Sequence, residues 1–268
     1  MSSFQNPWLE PGPFPESPLP PPPVLAEDPP WSGWDVLQIA VLTLVSIMVF
    51  LVAVAAATQR LLYPHLAFVE VIKYPLVSVV AQLFAYILVF GFMVAVAKRG
   101  QDRKFWKEVR WKWPVPWSAY VVAGVVLSVG LQGVAHFLPM PKELPIDRFF
   151  QTKQEAWVLA IFGMTLAPLM EELFFRGFLY PVLVRRLGVG VAVVLTAASF
   201  GLIHAPQLGR AWGPVLVIFL VGLTLTIARA VTKSVAPGFL IHVAYNGTIS
   251  VLIFVATDGF RHLEKLNQ

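Results

Sequence analysis

The charged side chains of this chain are missing from six long stretches, and that absence limits the fold more than any other feature. No Asp, Glu, Lys or Arg occurs at 36–59, 74–97, 113–141, 187–209, 211–228 or 234–257. Each stretch is close to or above the ~20 residues that a helix needs to cross ~30 Å of hydrocarbon. A helix covering a water-soluble core would instead show charges at helical spacing along its outer face. Composition agrees, with 57% hydrophobic and 13% charged residues among 268. The chain therefore reads as all-α, a polytopic transmembrane helix bundle of about seven to eight helices held in a lipid bilayer, with a cell membrane as its expected location.

Spans are predicted near Val36–Thr58, Tyr74–Ala97 and Ser118–Leu138, within Ala156–Val184, and at about 189–208, 212–230 and 235–257. Residues 1–35 hold eleven prolines, five acids and no Lys or Arg. Such a segment cannot build a packed core and is expected to be an extended, disordered tail. It lacks the basic start of a signal peptide, so no cleavage is expected. Residues 36–117 form a unit of two spans and a basic, Trp-rich loop, with Lys98, Arg99, Arg103, Lys104, Lys107, Arg110 and Lys112 interleaved with Trp106, Trp111 and Trp113. Between two spans, that mixture marks a cytoplasmic loop with an aromatic interfacial anchor, not a nucleic-acid surface, and it places the N-terminus in the cytoplasm. A bundle of spans over 118–257 and a short tail at 258–268 complete the chain. The absence of cysteine excludes disulfides, thiolate nucleophiles and Cys-type zinc sites.

Against this apolar background a few polar groups stand out. Glu171, Glu172 and Arg176 lie in the fourth hydrophobic segment, His204 in the fifth, and His242 with Asn246 in the last. Ionisable groups inside spans cost several kcal/mol, so they point to function first. Glu172 and Arg176 are one helical turn apart and share a face, whereas Glu171 is turned ~100° away. One carboxylate is thus held by the arginine while its neighbour faces a cavity. Pro168 is expected to break the helix just upstream. His242 and Asn246 again share a face, shortly after Pro237 and Gly238. His136, near the end of the third span, is expected at the interface. A structural reading gives the same residues a different task, the Glu–Arg pair locking the bundle and the His and Asn bonding between helices.

Three segments resemble the motifs of the CAAX-protease and bacteriocin-processing (CPBP) family. Glu171-Glu172-Leu173-Phe174-Phe175-Arg176 is similar to its E-E-x-x-x-R, Phe200-Gly201-Leu202-Ile203-His204 to F-x-x-x-H, and His242-Val243-Ala244-Tyr245-Asn246 to H-x-x-x-N. All three occur in order, each in a hydrophobic segment. The resemblance covers roughly residues 118–257. It implies an intramembrane endopeptidase acting on a membrane-associated protein or peptide, with lipidated, CAAX-like substrates among the class. By resemblance, Glu171 and His204 activate water, and His242 and Asn246 stabilise the oxyanion or bind metal. The family's naming as metalloproteases implies a Zn2+ on His204, His242 and Glu171, while a metal-free mechanism uses the same residues. The alternatives are a non-catalytic scaffold or bacteriocin self-immunity protein on the same fold, and a transporter, which the lack of an inverted repeat disfavours.

Overall fold

A computed structural model of the protein describes residues 28–99, 103–141, 145 and 152–263, all of them helix, turn or irregular chain with no strand among them. Most of the expected tail lies outside the described residues, as does Lys142. The helices are α1 (Gly33–Leu61), α2 (Phe68–Val71), α3 (Pro75–Ala97), α4 (Phe105–Glu108), α5 (Trp117–Ala135), α6 (Lys153–Met164), α7 (Leu166–Glu172), a π-helical segment (Leu173–Leu179), α8 (Tyr180–Leu187), α9 (Val189–His204), α10 (Trp212–Thr232) and α11 (Ala236–Ala256). Six of these units, with Lys153–Leu187 taken as one, are long and apolar enough to cross a membrane. The protein is a multi-pass integral membrane protein.

The fifth expected span is the exception. α9 ends at His204 and is only 16 residues long, roughly 24 Å at 1.5 Å per residue. Pro206 offers no N–H to continue the ladder, and the chain instead folds over itself, with the Gln207 and Leu208 amides returning to the His204 carbonyl.

α1 begins slightly before the expected Val36. Ser32 caps it, and Asp35 returns the bond in a capping box. Asp35 also pairs with Arg99 beyond the end of α3. The residues before α1 are docked: Trp31 is buried against Phe178, and Arg185 holds Asp28 and the carbonyls of Pro29 and Trp31.

The helices pack chiefly as α1 on α3, α5 on α11, and α9 on α10. Small residues permit the closest approaches, as is usual where lipid gives no hydrophobic drive between helices. A Cβ at Gly124 of α5 would stand 2.4 Å from the Ile241 carbonyl oxygen of α11. Two apolar clusters result. One joins Trp31, α1 and α3 to Met170, Leu173 and Phe178, and the other joins α5, α10 and α11 to Phe175 and Phe200. The helix that carries Glu171 and Glu172 runs between them, in contact with both.

The basic loop is also packed. Phe105 is buried, and Trp111 lies among Trp106, Trp113 and Phe239. Its backbone docks under the α10–α11 turn, where the Val235 amide donates to the Arg110 carbonyl and Ser234 bonds both the amide and the carbonyl of Lys112.

Candidate active site

The fourth hydrophobic segment is not one straight helix. α6 stops at Thr165, which leaves helical geometry at φ −120° and ψ −74°. Pro168, four residues beyond Met164, cannot donate to its carbonyl, so a break falls here as expected from the sequence. The π-helical segment follows at once, a departure from the single helix expected over this stretch. Its cause is legible afterwards: the Tyr180 amide bonds the Phe175 carbonyl, one residue farther back than in an α-helix. Pro181, next in line, has no N–H, so the Arg176 carbonyl lacks a donor from its own helix. The buried Arg229 of α10 supplies one, Nε to O at 3.2 Å. Trp31 donates to the Phe178 carbonyl through Nε1, at 3.0 Å.

Glu172 and Arg176 form the expected pair, with Oε1 accepting from Nη1 at 2.8 Å and both side chains fully buried. Arg176 is further fixed by Thr226 through Nε and by the Gly222 carbonyl through Nη2, and it lies over the Phe200 ring. Glu172 Oε1 also faces His242 Nδ1 at 3.0 Å. Its other oxygen, Oε2, has no hydrogen-bond partner and rests against Gly238, where a Cβ would stand 2.8 Å away. Gly238 is therefore there for the carboxylate, which needs the space.

Glu171 points elsewhere. Its Oε1 is 4.0 Å from His204 Nε2 and its Oε2 is 3.7 Å from His242 Nε2. Both gaps are too long for direct hydrogen bonds. Alternation makes α9 and α11 run in the same sense, with His204 at the end of one and His242 near the start of the other. Their meeting at one carboxylate requires the two helices to be staggered.

The ring orientations follow from their outer partners. His204 Nδ1 is 2.7 Å from the Phe200 carbonyl, which can only accept, so this nitrogen carries the proton. In the neutral ring Nε2 then presents a lone pair toward Glu171. His242 Nδ1 donates to Glu172 by the same logic. Asn246 donates from Nδ2 to the Gly163 carbonyl at 2.7 Å, which fixes the direction of its amide and leaves its second N–H free.

Glu171, His204, His242 and Asn246 line one cavity of about 670 Å³, walled by α1, α3, α6, α7, α9, α10 and α11. Glu172 and Arg176 lie behind it, in the packed interior. His136 is exposed at the end of α5 and takes no part. Sequence reading missed Arg229, Thr226 and the α3 residues Gln82 and Tyr86, which face the same cavity. The two imidazoles and the carboxylate are donor types that zinc accepts. As they stand, however, no group of three or more His, Asp or Glu side chains among the described residues is placed to hold one ion.

Residues 153–248 match the family model described as type II CAAX prenyl endopeptidase Rce1-like. The match runs from the start of α6 to the middle of α11 and contains all three motifs. No curated protein and no solved structure is significantly similar to the chain. Over residues 153–248 the chain is thus similar to the Rce1-like type II CAAX prenyl endopeptidases, the group that its motifs resemble.

Proposed function

We propose that the protein is an intramembrane endopeptidase that hydrolyses a peptide bond of a membrane-associated substrate, a prenylated CAAX-type peptide being the class that the matched family suggests. The observation that carries this reading is one carboxylate, Glu171, set 4.0 and 3.7 Å from two imidazole nitrogens at the wall of a cavity.

In this reading a water sits beside Glu171, within reach of its carboxylate and the His204 Nε2 lone pair. Glu171 takes a proton as the water oxygen attacks the carbonyl carbon of the substrate. The negative charge moves to the carbonyl oxygen. There the free N–H of Asn246 and, in its imidazolium form, the Nε2–H of His242 donate to it. Donors preset at such a position are worth roughly 3–4 kcal/mol each. When the C–N bond breaks, the proton held by Glu171 passes to the leaving amine, and the products are a carboxylic acid, which keeps the second proton of the water until it leaves, and an amine. Glu172 and Arg176 work one layer back, orienting His242 and fixing the helix that carries Glu171. These steps use side-chain donors and acceptors alone.

The test is cleavage of an internally quenched, farnesylated CAAX-type peptide by the purified protein in proteoliposomes. Wild type is expected to cleave it, and Glu171→Gln to fall by at least about a hundredfold, within the range typical of general acid–base catalysis. Full activity of Glu171→Gln would overturn the assignment. Dialysis against a chelator is expected to leave cleavage intact, and loss restored by added Zn2+ would show that a metal belongs in the mechanism.

A further inference from the structure

The cavity extends well beyond the motif residues, and its far wall is α3, which lies outside the segment that matches the family. α3 is a strongly apolar span, yet Ser78, Gln82 and Tyr86 fall at successive i, i+4 positions and all line the cavity. Among the described residues none of these three side chains hydrogen-bonds to another group of the protein. A carboxamide and a phenol inside a span are costly to leave without partners. They are half-buried, not turned to lipid, whereas Ile87 on the outer face of the same helix is 70% exposed.

The other walls place these groups next to the reacting centre. The Tyr86 ring stacks on Phe162, the neighbour of the Gly163 whose carbonyl holds Asn246. Tyr86 and Glu171 line the same cavity. On α11, Asn246 and Ser250 repeat the same one-turn spacing and line the same cavity.

A peptide that enters a membrane cavity brings backbone N–H and C=O groups that have lost their water. Groups one helical turn apart recur every ~6 Å. Every second residue of an extended chain recurs at ~6.7 Å. The two repeats match closely over the three positions available. We propose that the Ser78–Gln82–Tyr86 face of α3 is the peptide-binding wall of the site. It holds the substrate backbone extended across the cavity, with Tyr86 beside the scissile bond and Gln82 and Ser78 at residues progressively farther from it. This inference rests on the peptidase reading.

Kinetics with the farnesylated peptide and cysteine labelling test the two together, the chain being naturally free of cysteine. Gln82→Leu is expected to raise KM roughly tenfold with little change in kcat, the size of one lost hydrogen bond. Tyr86→Phe is expected to lower kcat/KM by a similar factor, and Ile87→Ala to match wild type. Gln82→Cys and Tyr86→Cys, each made with Glu171→Gln, are expected to react with a water-soluble maleimide and to be protected by the peptide. Ile87→Cys in the same background is expected to remain unlabelled. If wild type cleaves and Glu171→Gln does not, but Gln82→Leu and Tyr86→Phe stay within about twofold of wild type, the wall assignment is wrong while the peptidase reading stands. Kinetic loss without peptide protection of Gln82→Cys also overturns it. Failure of wild type to cleave, with no protection at either cysteine, removes both.

Discussion

Glu171 and Glu172 are neighbours in the chain and opposites in surroundings. One carboxylate borders a cavity beside two imidazoles, and the other is sealed behind an arginine. Arg176→Ala would leave Glu172 buried without its cation, at a cost of about 3–5 kcal/mol. Loss of folded protein is the expected outcome, read by size-exclusion in detergent, whereas Glu171→Gln should elute as wild type. Gly238→Ala places a methyl group against Glu172 Oε2 and should lower stability by ~1–3 kcal/mol. Its thermal midpoint should drop although glycine-to-alanine changes inside helices usually raise stability. If Glu171 and His204 act as a unit, their double alanine variant should be little slower than either single one. The different surroundings of the two glutamates are legible in the sequence, because their ~100° separation and the i, i+4 arginine determine them. Gln82 and Tyr86 were not, since uncharged polar residues in a span carry no signal until a neighbouring wall is known.

At the scale of the element, the distinctive piece is the π-helical turn between Glu172 and Tyr180. Two of its carbonyls, those of Arg176 and Phe178, accept from Arg229 and Trp31, so its geometry depends on residues far away in sequence. Arg229→Met removes a buried donor and should cost about 1–3 kcal/mol. Its activity should fall further than that of Trp31→Phe, which keeps the ring stack and loses one hydrogen bond, about 1 kcal/mol. Thermal unfolding and peptide cleavage on the same preparations separate the two effects. The helices themselves were easy to read, because missing charge marks a span directly. A shift from i→i+4 to i→i+5 bonding leaves no comparable mark, although Pro168 and Pro181 bracket the affected stretch. α9 is shorter than missing charge suggests for a related reason: residues 205–209 are uncharged, and it is Pro206 and the backbone that turn the chain there.

Across the whole molecule, the basic 103–112 loop shares one end with Arg99, Arg185 and Lys233. Arg99 meets Asp35 there, Arg185 meets Asp28, and the 103–112 loop docks under the turn that holds Lys233. By the positive-inside tendency this end should face the cytoplasm. A reporter active only outside the membrane should then be silent when fused near Lys107 and active when fused near Arg210, and the reverse pattern would invert the orientation. Trp31 has one more consequence, which concerns where the gene can be cut. The stretch recognisable by family begins at residue 153, yet the tryptophan that seals its carboxylate helix comes more than a hundred residues earlier, ahead of the first span. A version trimmed to start at Val36 would keep every motif and every span, but it would expose the Phe178 carbonyl to lipid or water. The smallest piece that retains the native geometry of the Glu171–Glu172 helix should therefore begin no later than Asp28, and any affinity tag belongs upstream of that point or at the other end of the chain.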